Sequence, residues 1–240
     1  MDKLIYTVMT AAERAFHAQQ VRANNLANAD TNGFRADYEV AGTQQVPGYG
    51  YDTGYQSHGS SDVVSQRLGQ VRETGRDLDV ALAGQGYLAV EYGEGEAYTR
   101  AGAIQIDAEG ALTLQGRAVL GDGGPIVLPP HRQVTIGADG SISILPEDSA
   151  EMQVVDRLKL VDGDAPMRKN AEGLLVPRNG NTLAASETVR LHGRSLENSN
   201  VRAVEEMVAV MDISRQFEVQ MKLYKAAESM HEAGNRLLRD

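Results

Sequence analysis

The stretch that decides the fold is NNLANADTNGFR, residues 24–35, which follows a long helical pattern. Asparagine is a mediocre helix former, yet Asn24, Asn25 and Asn28 occupy what the pattern predicts to be the last turns of a helix. Spacings of three and four residues bring the three amides together near one end of that helix. Two interpretations are open: a frayed helix end, or amides that bond across an interface between identical helices.

The pattern before this stretch predicts one uninterrupted helix over residues 3–29. Neither proline nor glycine occurs there, and apolar or small residues alternate at four and three positions, the spacing of a coiled-coil seam. This seam consists of Ile5, Met9, Ala12, Phe16, Gln19, Ala23 and Leu26. We expect Asn32-Gly33 to form a left-handed stop and Phe34 to fold back onto the helix.

The other end of the chain predicts a second, longer helix over residues 200–238. Ser199 or Asn200 is expected to cap it, and Glu205 and Glu206 suit the positive end of its dipole. Its seam repeats the same spacing at Ala203, Met207, Val210, Ser214, Phe217, Met221 and Tyr224.

Between the helices the pattern changes to short alternating runs such as GYLAVE, QVTIG and SISIL. Turn pairs separate several of them: Glu109-Gly110, Asp139-Gly140 and Asn179-Gly180. No helical crossover pattern occurs here, so a parallel sheet is not expected. The sequence therefore predicts an α+β fold, in which N- and C-terminal long helices form a coiled-coil-like layer and a mainly antiparallel β domain is inserted between them.

The predicted domain boundaries follow these changes in pattern: 1–35 for the first helix, 36–69 for a linker, 70–194 for the β domain and 195–240 for the last helix. Residues 36–69 are rich in Gly, Tyr, Gln and Ser and poor in large aliphatic side chains. Such a segment cannot bury enough apolar surface to fold by itself. It is interpreted either as a long surface loop or as a segment that becomes ordered only against its neighbours.

The charge distribution separates the helices from the middle of the chain. The net charge is −10, whereas residues 1–35 carry +1 and residues 200–240 carry −1. Two nearly neutral helices can pack densely with copies of themselves, while the acidic middle stays solvated. An acidic chain also repels phosphate backbones, so no nucleic-acid partner is expected.

The composition of the chain also bears on the cellular compartment in which it is expected. No apolar run approaches the roughly 18 residues that a membrane helix needs, so membrane insertion is not expected. The N-terminus lacks the form of a signal peptide because Glu13 and Arg14 stand where an apolar region should continue. The chain has no cysteine, which excludes disulfides and suits either a reducing compartment or export in an unfolded state.

Catalytic motifs are absent from the sequence, and no cofactor or metal is expected. The five histidines are scattered, without the spacing of a metal site. Asp162 and Asp164 lack the rest of a calcium loop, and Asp77 and Asp79 are interpreted as a solvated strand face rather than a paired acid and base. An uncharacterised soluble enzyme or a binding module remains the alternative from a different functional class, and it would require a pocket with perturbed titratable groups.

Two motifs nevertheless resemble a known family. NNLANADTNGFR is similar to the ANNLANxxTxGFK/R signature of the bacterial flagellar axial proteins of the rod and hook, which Ala23 through Arg35 match throughout. SLENSNVRAVEEMVAVM, residues 195–211, resembles the SLExSNVxxxxEMxxM motif that opens the terminal helix of that family. The stretches MDKLIYTVMTAA, ETGRDLDVALAGQGYLAV, VTIGADGSISI and SRQFEVQMKL resemble the proximal-rod type most; a distal-rod or hook subunit is the alternative.

The resemblance implies a structural subunit of the flagellar basal-body rod, the drive shaft that transmits motor torque to hook and filament. It also implies export through the flagellar type III gate without a cleaved signal peptide, assembly beneath the rod cap, and a helical polymer in the periplasm with terminal helices inside. Partners would be copies of the chain, other proximal-rod subunits below and distal-rod subunits above. The N-terminal motif would supply a subunit interface formed by Asn24, Asn25, Leu26, Asn28, Thr31, Gly33 and Phe34.

Overall fold

The computed structural model describes residues 2–45, 55–93 and 95–237 and contains two long helices and nineteen strands within that part of the chain. The helices are α1 (Asp2–Ala27) and α2 (Ala203–Leu237). The strands are β1 (Asp37–Gln45), β2 (Tyr55–Val64), β3 (Val71–Glu73), β4 (Val80–Ala83), β5 (Tyr87–Tyr92), β6 (Gly95–Thr99), β7 (Gln105–Ile106), β8 (Leu112–Leu114), β9 (Arg117–Ala118), β10 (Leu120–Gly121), β11 (Gly124–Pro125), β12 (His131–Ile136), β13 (Ser141–Pro146), β14 (Gln153–Arg157), β15 (Leu160–Val161), β16 (Met167–Lys169), β17 (Leu175–Pro177), β18 (Arg190–Gly193) and β19 (Ser195–Glu197).

The chain divides into two compact units. The helical unit comprises Met1–Ala27, Asp37–Val63 and Arg202–Asp240, and the β unit comprises Asn28–Ala36 and Val64–Val201. The chain therefore passes from one unit to the other four times.

In the helical unit the two helices pack against each other. Arg22, near the end of α1, donates to Glu206, near the start of α2. Because the last turns of α1 meet the first turns of α2, the helices run antiparallel. The α+β architecture with helices at both ends and antiparallel strands between them is confirmed.

The segment interpreted above as a linker contains part of a sheet. Strands β1 and β2 pair with each other as a two-stranded sheet. The alternative, that this segment becomes ordered against neighbours, has a physical basis, because a two-stranded ribbon is only marginally stable alone. The aliphatic-poor sequence hid these strands because the usual β-branched alternation is weak there.

The β unit is built from small antiparallel sheets. The largest has the order β15-β5-β6-β17-β16, and β12-β13-β14 and β7-β8-β9 form three-stranded sheets. Two-stranded pairs are β18-β4, β19-β3 and β10-β11. The main core lies between these sheets and includes Val80, Leu88, Ile104, Leu112 and Ile142, so the unit has a continuous apolar interior of its own.

The predicted turn pairs in this unit are confirmed. Gly110, Gly140 and Gly180 all have positive φ angles, of 84°, 86° and 72°. Glycine adopts this conformation without the steric cost that a Cβ brings. Asn200 does not form the predicted cap of α2. The helix begins at Ala203, and the Asn200 amide is bonded elsewhere, as described below.

Candidate functional site: the helix faces and the two signature motifs

The large apolar side chains of the helical unit face outward to a marked extent. On α1, Met9 and Phe16 are 64% and 61% exposed. On α2 the exposed set is Val204, Met207, Val208, Met211, Phe217, Val219, Met221, Leu223 and Met230. Exposed large apolar side chains in this number indicate an interaction surface.

The better buried positions form a different stripe of smaller and polar side chains. On α1 they recur at Ala11, Ala15, Ala18, Arg22 and Asn25. On α2 they lie at Glu206, Val210, Ile213, Gln220, Tyr224 and Ala227, with steps of four and three residues that are interrupted at the exposed Phe217. The covered residues of α1 are thus mostly small, whereas those of α2 include Ile213 and Tyr224; the described methionines and both phenylalanines of the helices stay exposed.

The predicted seam residues are divided between these faces. Ala12, Gln19 and Leu26 on α1, and Val210 and Tyr224 on α2, are half-buried. Those on the exposed side are Met9, Phe16, Ala23, Met207, Phe217 and Met221. The side chain of Ile5 lies outside the described residues.

Glu206 anchors the helix pair. It is buried, and its two carboxylate oxygens accept hydrogen bonds from Nη1 of Arg22 at 3.1 and 3.2 Å. A carboxylate in the first turn of α2 also suits the helix dipole. This contact fixes which turns of the two helices meet.

Asn25 has an unexpected role. Its side chain is 0% exposed, its amide nitrogen donates to the Asp37 carbonyl at 2.9 Å, and its amide oxygen accepts from the Asp37 N–H at 2.9 Å. The Asn25 side-chain amide thus pairs with the first residue of β1 in the way that the backbone of a neighbouring strand would. Asn25 therefore belongs neither to a frayed helix end nor to amides free to bond to another copy, because the start of β1 already uses both of its hydrogen-bonding groups.

The other asparagines of the motif are placed differently. Asn24 is exposed and Leu26 half-buried on α1. Asn28 lies past the helix end, where its side chain accepts a hydrogen bond from the Thr31 hydroxyl at 3.1 Å and its carbonyl accepts from the Thr31 N–H. The motif therefore contains two parts, one in each unit.

Gly33 is pressed against the β unit's backbone. Its φ is +71°, and an added Cβ would lie 2.2 Å from the Ala101 nitrogen and 2.3 Å from the Arg100 carbonyl carbon. Its own N–H donates to the Glu197 carbonyl at 2.7 Å. The left-handed conformation predicted for Gly33 is confirmed, but it serves this close approach rather than the helix end, which lies at Ala27.

Glu197, from the C-terminal motif, is the centre of a buried charge cluster. Its carboxylate accepts from the Gly69 N–H at 2.7 Å and from Nε of Arg100 at 2.6 Å, and it lies 3.3 Å from Nη2 of Arg35. Arg100 also donates to the carbonyls of Gly84 and Gly86. One side chain therefore connects the N-terminal motif, the segment before β3 and the β5–β6 region.

The cluster holds one more positive than negative charge. Burial, and next the charge of Arg100, lower the pKa of Arg35, while Glu197 opposes the shift. Within the described residues, Nε and Nη1 of Arg35 are buried without hydrogen-bond partners. Burial likewise raises the pKa of the neighbouring Tyr87. Removing the carboxylate would leave two guanidinium groups in a poorly solvated site.

Asn200 and Phe34 add further contacts between the two motifs around Glu197; we call this set of contacts the Glu197 joint. The Asn200 amide oxygen accepts from the Ala36 N–H at 2.7 Å, its amide nitrogen donates to the Arg67 carbonyl at 2.8 Å, and its own N–H donates to the Phe34 carbonyl. The ammonium of Lys169 lies 3.7 Å from the centre of the Phe34 ring, a favourable cation–π geometry. The same ammonium donates to the Arg35 carbonyl.

Sequence reasoning missed the ion cluster for an identifiable reason. Arg35, Arg100 and Glu197 are far apart in the chain, and no local period connects them. The available signal was a charged residue inside an apolar strand pattern, as in AYTRAGAI around Arg100 and SLE around Glu197, since buried charges require partners.

Two other kinds of feature, a metal site and a membrane-spanning helix, are not found in the described part of the chain. Among the described residues, no three of His, Asp and Glu lie close enough together to hold a metal ion. None of the helices, within the residues that could be assessed, has the length and apolar character that crossing a membrane would require.

Comparison with known families matches the regions just described. The family model "Flagella basal body rod protein" matches residues 5–35, and "Flagellar basal body rod FlgEFG protein C-terminal" matches residues 193–237. A third, "Flagellar hook protein FlgE/F/G D1 domain", matches residues 81–144 in the β unit. The first two contain Arg35 and Glu197, respectively.

Individual relatives match over nearly the whole chain. The flagellar basal-body rod protein FlgF of Salmonella typhimurium strain LT2 is 39% identical, and that of Escherichia coli strain K12 is 40% identical, each over 99% of both chains. The rod protein FlgG of Buchnera aphidicola subsp. Schizaphis graminum is 28% identical over 89% of this chain and 92% of its own. Because two FlgF proteins are about 40% identical over nearly the full length of both chains, this protein belongs to the FlgF family of flagellar basal-body rod proteins.

Proposed function

We propose that this structural rod subunit polymerises in the proximal part of the rod and that its two terminal helices form the inner, coiled-coil-like layer of a helical tube. The exposed apolar face of α1 and α2 carries this proposal. Met9 and Phe16 on α1, and Met207, Phe217 and Met221 on α2, remain exposed after the helices have packed together. Burial of such side chains against neighbouring subunits contributes roughly 1.5–3 kcal/mol each.

The N-terminal motif has two roles in this proposal. Asn24 and Leu26, with the exposed seam residues, contact neighbouring subunits. The other residues of the motif act by contacts within one chain. They hold the start of β1 and the Glu197 joint in the geometry that the interface requires; they are Asn25, Asn28, Thr31, Gly33 and Phe34. Domain boundaries at residues 35, 69 and 194 remain part of this proposal, whereas the compact units of the single chain divide after residues 27, 36, 63 and 201.

The family implies the surroundings of this subunit in the basal body. In the proposed arrangement the chain crosses the inner membrane unfolded through the flagellar type III export gate, without a cleaved signal peptide, and assembles in the periplasm beneath the rod cap. It joins other proximal-rod subunits below and distal-rod subunits above, and it transmits motor torque through that stack to hook and filament.

Substitution of Phe16 tests the proposal directly. Phe16→Glu is expected to abolish motility and the protein's presence in purified basal bodies, because a charge would be buried in the helical layer. Gln20→Glu adds the same charge at another exposed position of α1 and serves as the matched control. Thermal unfolding of each purified variant should match that of the parent chain.

Subunit-resolved imaging of basal bodies completes the test. It should locate the parent chain in the proximal rod, with both terminal helices in the innermost layer. Normal swimming of the Phe16→Glu strain with normal amounts of the variant in basal bodies would refute a helical layer formed through this face.

A further inference from the structure

Strands β3 and β14 are two of the edge strands of the β unit. Within the described residues β3 pairs with β19 alone, and β14 is the last strand of the sheet β12-β13-β14. The Gln70 carbonyl accepts from the Asn198 N–H, and the Thr74 N–H donates to the Arg194 carbonyl. Because strand groups alternate in direction, the backbone groups of Val71 and Glu73 point to the open side. Proteins usually protect such edges from pairing.

The β3 strip, residues 66–77, is apolar and basic. Apart from Gly69 these residues are exposed, and Val71 has 44% of its surface accessible. Arg76 and Arg194 are paired with Asp79 and Asp77. That leaves Arg67 and Arg72 without a carboxylate partner in the described part of the chain, against one carboxylate, Glu73. The strip is therefore locally basic in a chain whose net charge is −10.

The β14 strip, residues 147–156, has the opposite charge. It contains four acidic residues and no basic one: Glu147, Asp148, Glu151 and Asp156. Two arginines lie nearby. Arg157, the last residue of β14, is paired with Asp139, whereas Arg132 donates to the carbonyls of Glu147 and Ser149 and brings one positive charge to the strip. The four carboxylates therefore still outnumber it.

The apolar part of the β14 strip is also exposed. Met152, Val154 and Val155 all lie on the surface, and Val154 is 70% exposed. Each strip thus combines an open strand edge with exposed aliphatic side chains and with an excess of one charge.

We infer that the β3 strip of one copy binds the β14 strip of a second copy by pairing the two open strand edges. Opposite charges favour this pairing, whereas a symmetric contact of either strip with itself would bring like charges together. The contact is therefore heterologous, and a heterologous contact that does not close generates a helical assembly. The inference rests on the proposed polymerisation and adds the surface that joins neighbouring outer domains.

Engineered cysteines test the pairing, because the natural chain has none. Val71→Cys and Val154→Cys variants, one carrying a mass tag, are produced together in cells that lack the parent protein. Basal bodies are purified, oxidised and separated on a non-reducing gel. We expect a mixed dimer that contains one tagged and one untagged chain. Dimers of either variant with itself, or no dimer, would overturn the edge pairing.

A third variant controls for chance collisions. Val127 is exposed but lies in neither strip, so Val127→Cys in place of Val154→Cys should give about tenfold less mixed dimer or lower still. If the variants enter basal bodies without a 71–154 link, the edge pairing fails and the rod function stands. If the folded parent chain is itself absent from basal bodies, the proposed function fails as well.

Charge reversal covers the case in which a cysteine disturbs assembly. Arg72→Glu or Glu151→Arg alone should reduce the amount in basal bodies by about tenfold. The double variant should recover most of the loss, because every copy then presents exchanged signs. Glu187→Arg, at an exposed position outside both strips, should have no effect. Absence of recovery in a double variant that folds normally would overturn the pairing.

Discussion

The β unit and the helical unit place their large apolar side chains in opposite ways. In the β unit, Leu88, Ile104, Leu112 and Ile142 are almost completely buried in one core. In the helical unit, side chains of the same size, such as Phe16 and Leu223, remain exposed after the helices have packed. The difference indicates which unit completes its fold within one chain and which one needs further copies to cover its surface.

The two units also treat buried polar groups differently. The β unit holds a three-membered ion cluster, Arg35, Glu197 and Arg100, in its interior. In the helical unit the buried carboxylate of Glu206 pairs instead with Arg22, which is partly exposed. We expect the ion cluster to govern the stability of the chain and the Arg22–Glu206 pair to govern the alignment of the helices.

Removal of the Glu197 charge should have the largest effect. Glu197→Gln leaves Arg35 and Arg100 buried without a counter-charge, at a cost of about 3–5 kcal/mol in unfolding free energy. Urea denaturation followed by circular dichroism measures it. Glu187→Gln, an exposed acid of the same unit, is the control and should change stability by less than about 0.5 kcal/mol. Equal midpoints for both variants would contradict a structural role for the cluster.

The Gly33→Ala substitution, which adds a methyl group, should cause the second-largest loss of stability. Gly33→Ala combines an unfavourable positive φ with a contact of 2.2 Å to the Ala101 nitrogen, and we expect a cost of about 3–4 kcal/mol. Gly75→Ala shares the positive φ, at +78°, but has nothing within 4 Å, so it should cost only about 1–2 kcal/mol. The same denaturation experiment separates the two; if they are equally destabilised, the close approach is not what requires glycine.

The same substitution in both units sharpens the comparison. Leu112→Ala should cost about 3 kcal/mol because it opens a cavity in the β-unit core. Leu223→Ala, on the exposed face of α2, should change the stability of the purified chain by less than about 0.5 kcal/mol but reduce its amount in basal bodies. If Leu223→Ala destabilises the isolated chain as strongly as Leu112→Ala, the exposed face is not an assembly surface.

Asn25→Leu should have a smaller but measurable effect on the single chain. Loss of the amide leaves the N–H and carbonyl of Asp37 without these partners, and we expect a cost of about 2 kcal/mol. Ala23→Leu, at an exposed position of the same helix, should be neutral. Hydrogen exchange of the Asp37 amide provides the local measurement, and unchanged protection in Asn25→Leu would show that the bond contributes little.

The periodic parts of the chain were the predictable ones. The helices, predicted at 3–29 and 200–238, lie at Asp2–Ala27 and Ala203–Leu237, because strong repeats define them locally. Which side of each helix faces its partner could not be predicted. Several stripes on these helices have the same heptad spacing, and the stripe that packs within the chain combines alanines and the Arg22–Glu206 ion pair with Ile213 and Tyr224.

Long-range features could not be predicted at all. Ser199 or Asn200 was expected to cap α2, yet the helix begins at Ala203 and the Asn200 amide bonds to Ala36 and Arg67, which a local capping rule cannot anticipate. Strands β1 and β2 escaped because their sequence has little β propensity. The roles of Asn25 and Arg35 depend on residues that meet them only once the chain has folded, even though the motif around them was recognisable.

The Glu197 cluster also has a consequence for the order of events in time. Its carboxylate bonds to residues 97 and 128 positions earlier in the chain, so a growing or partly translocated chain that lacks the C-terminal motif cannot close this joint. Contacts of such long sequence separation form slowly. We expect the β unit to reach its final structure only after the C-terminal motif is available. In the proposed export through a narrow gate, this delay would keep a partly translocated chain unfolded until its C-terminal motif has passed.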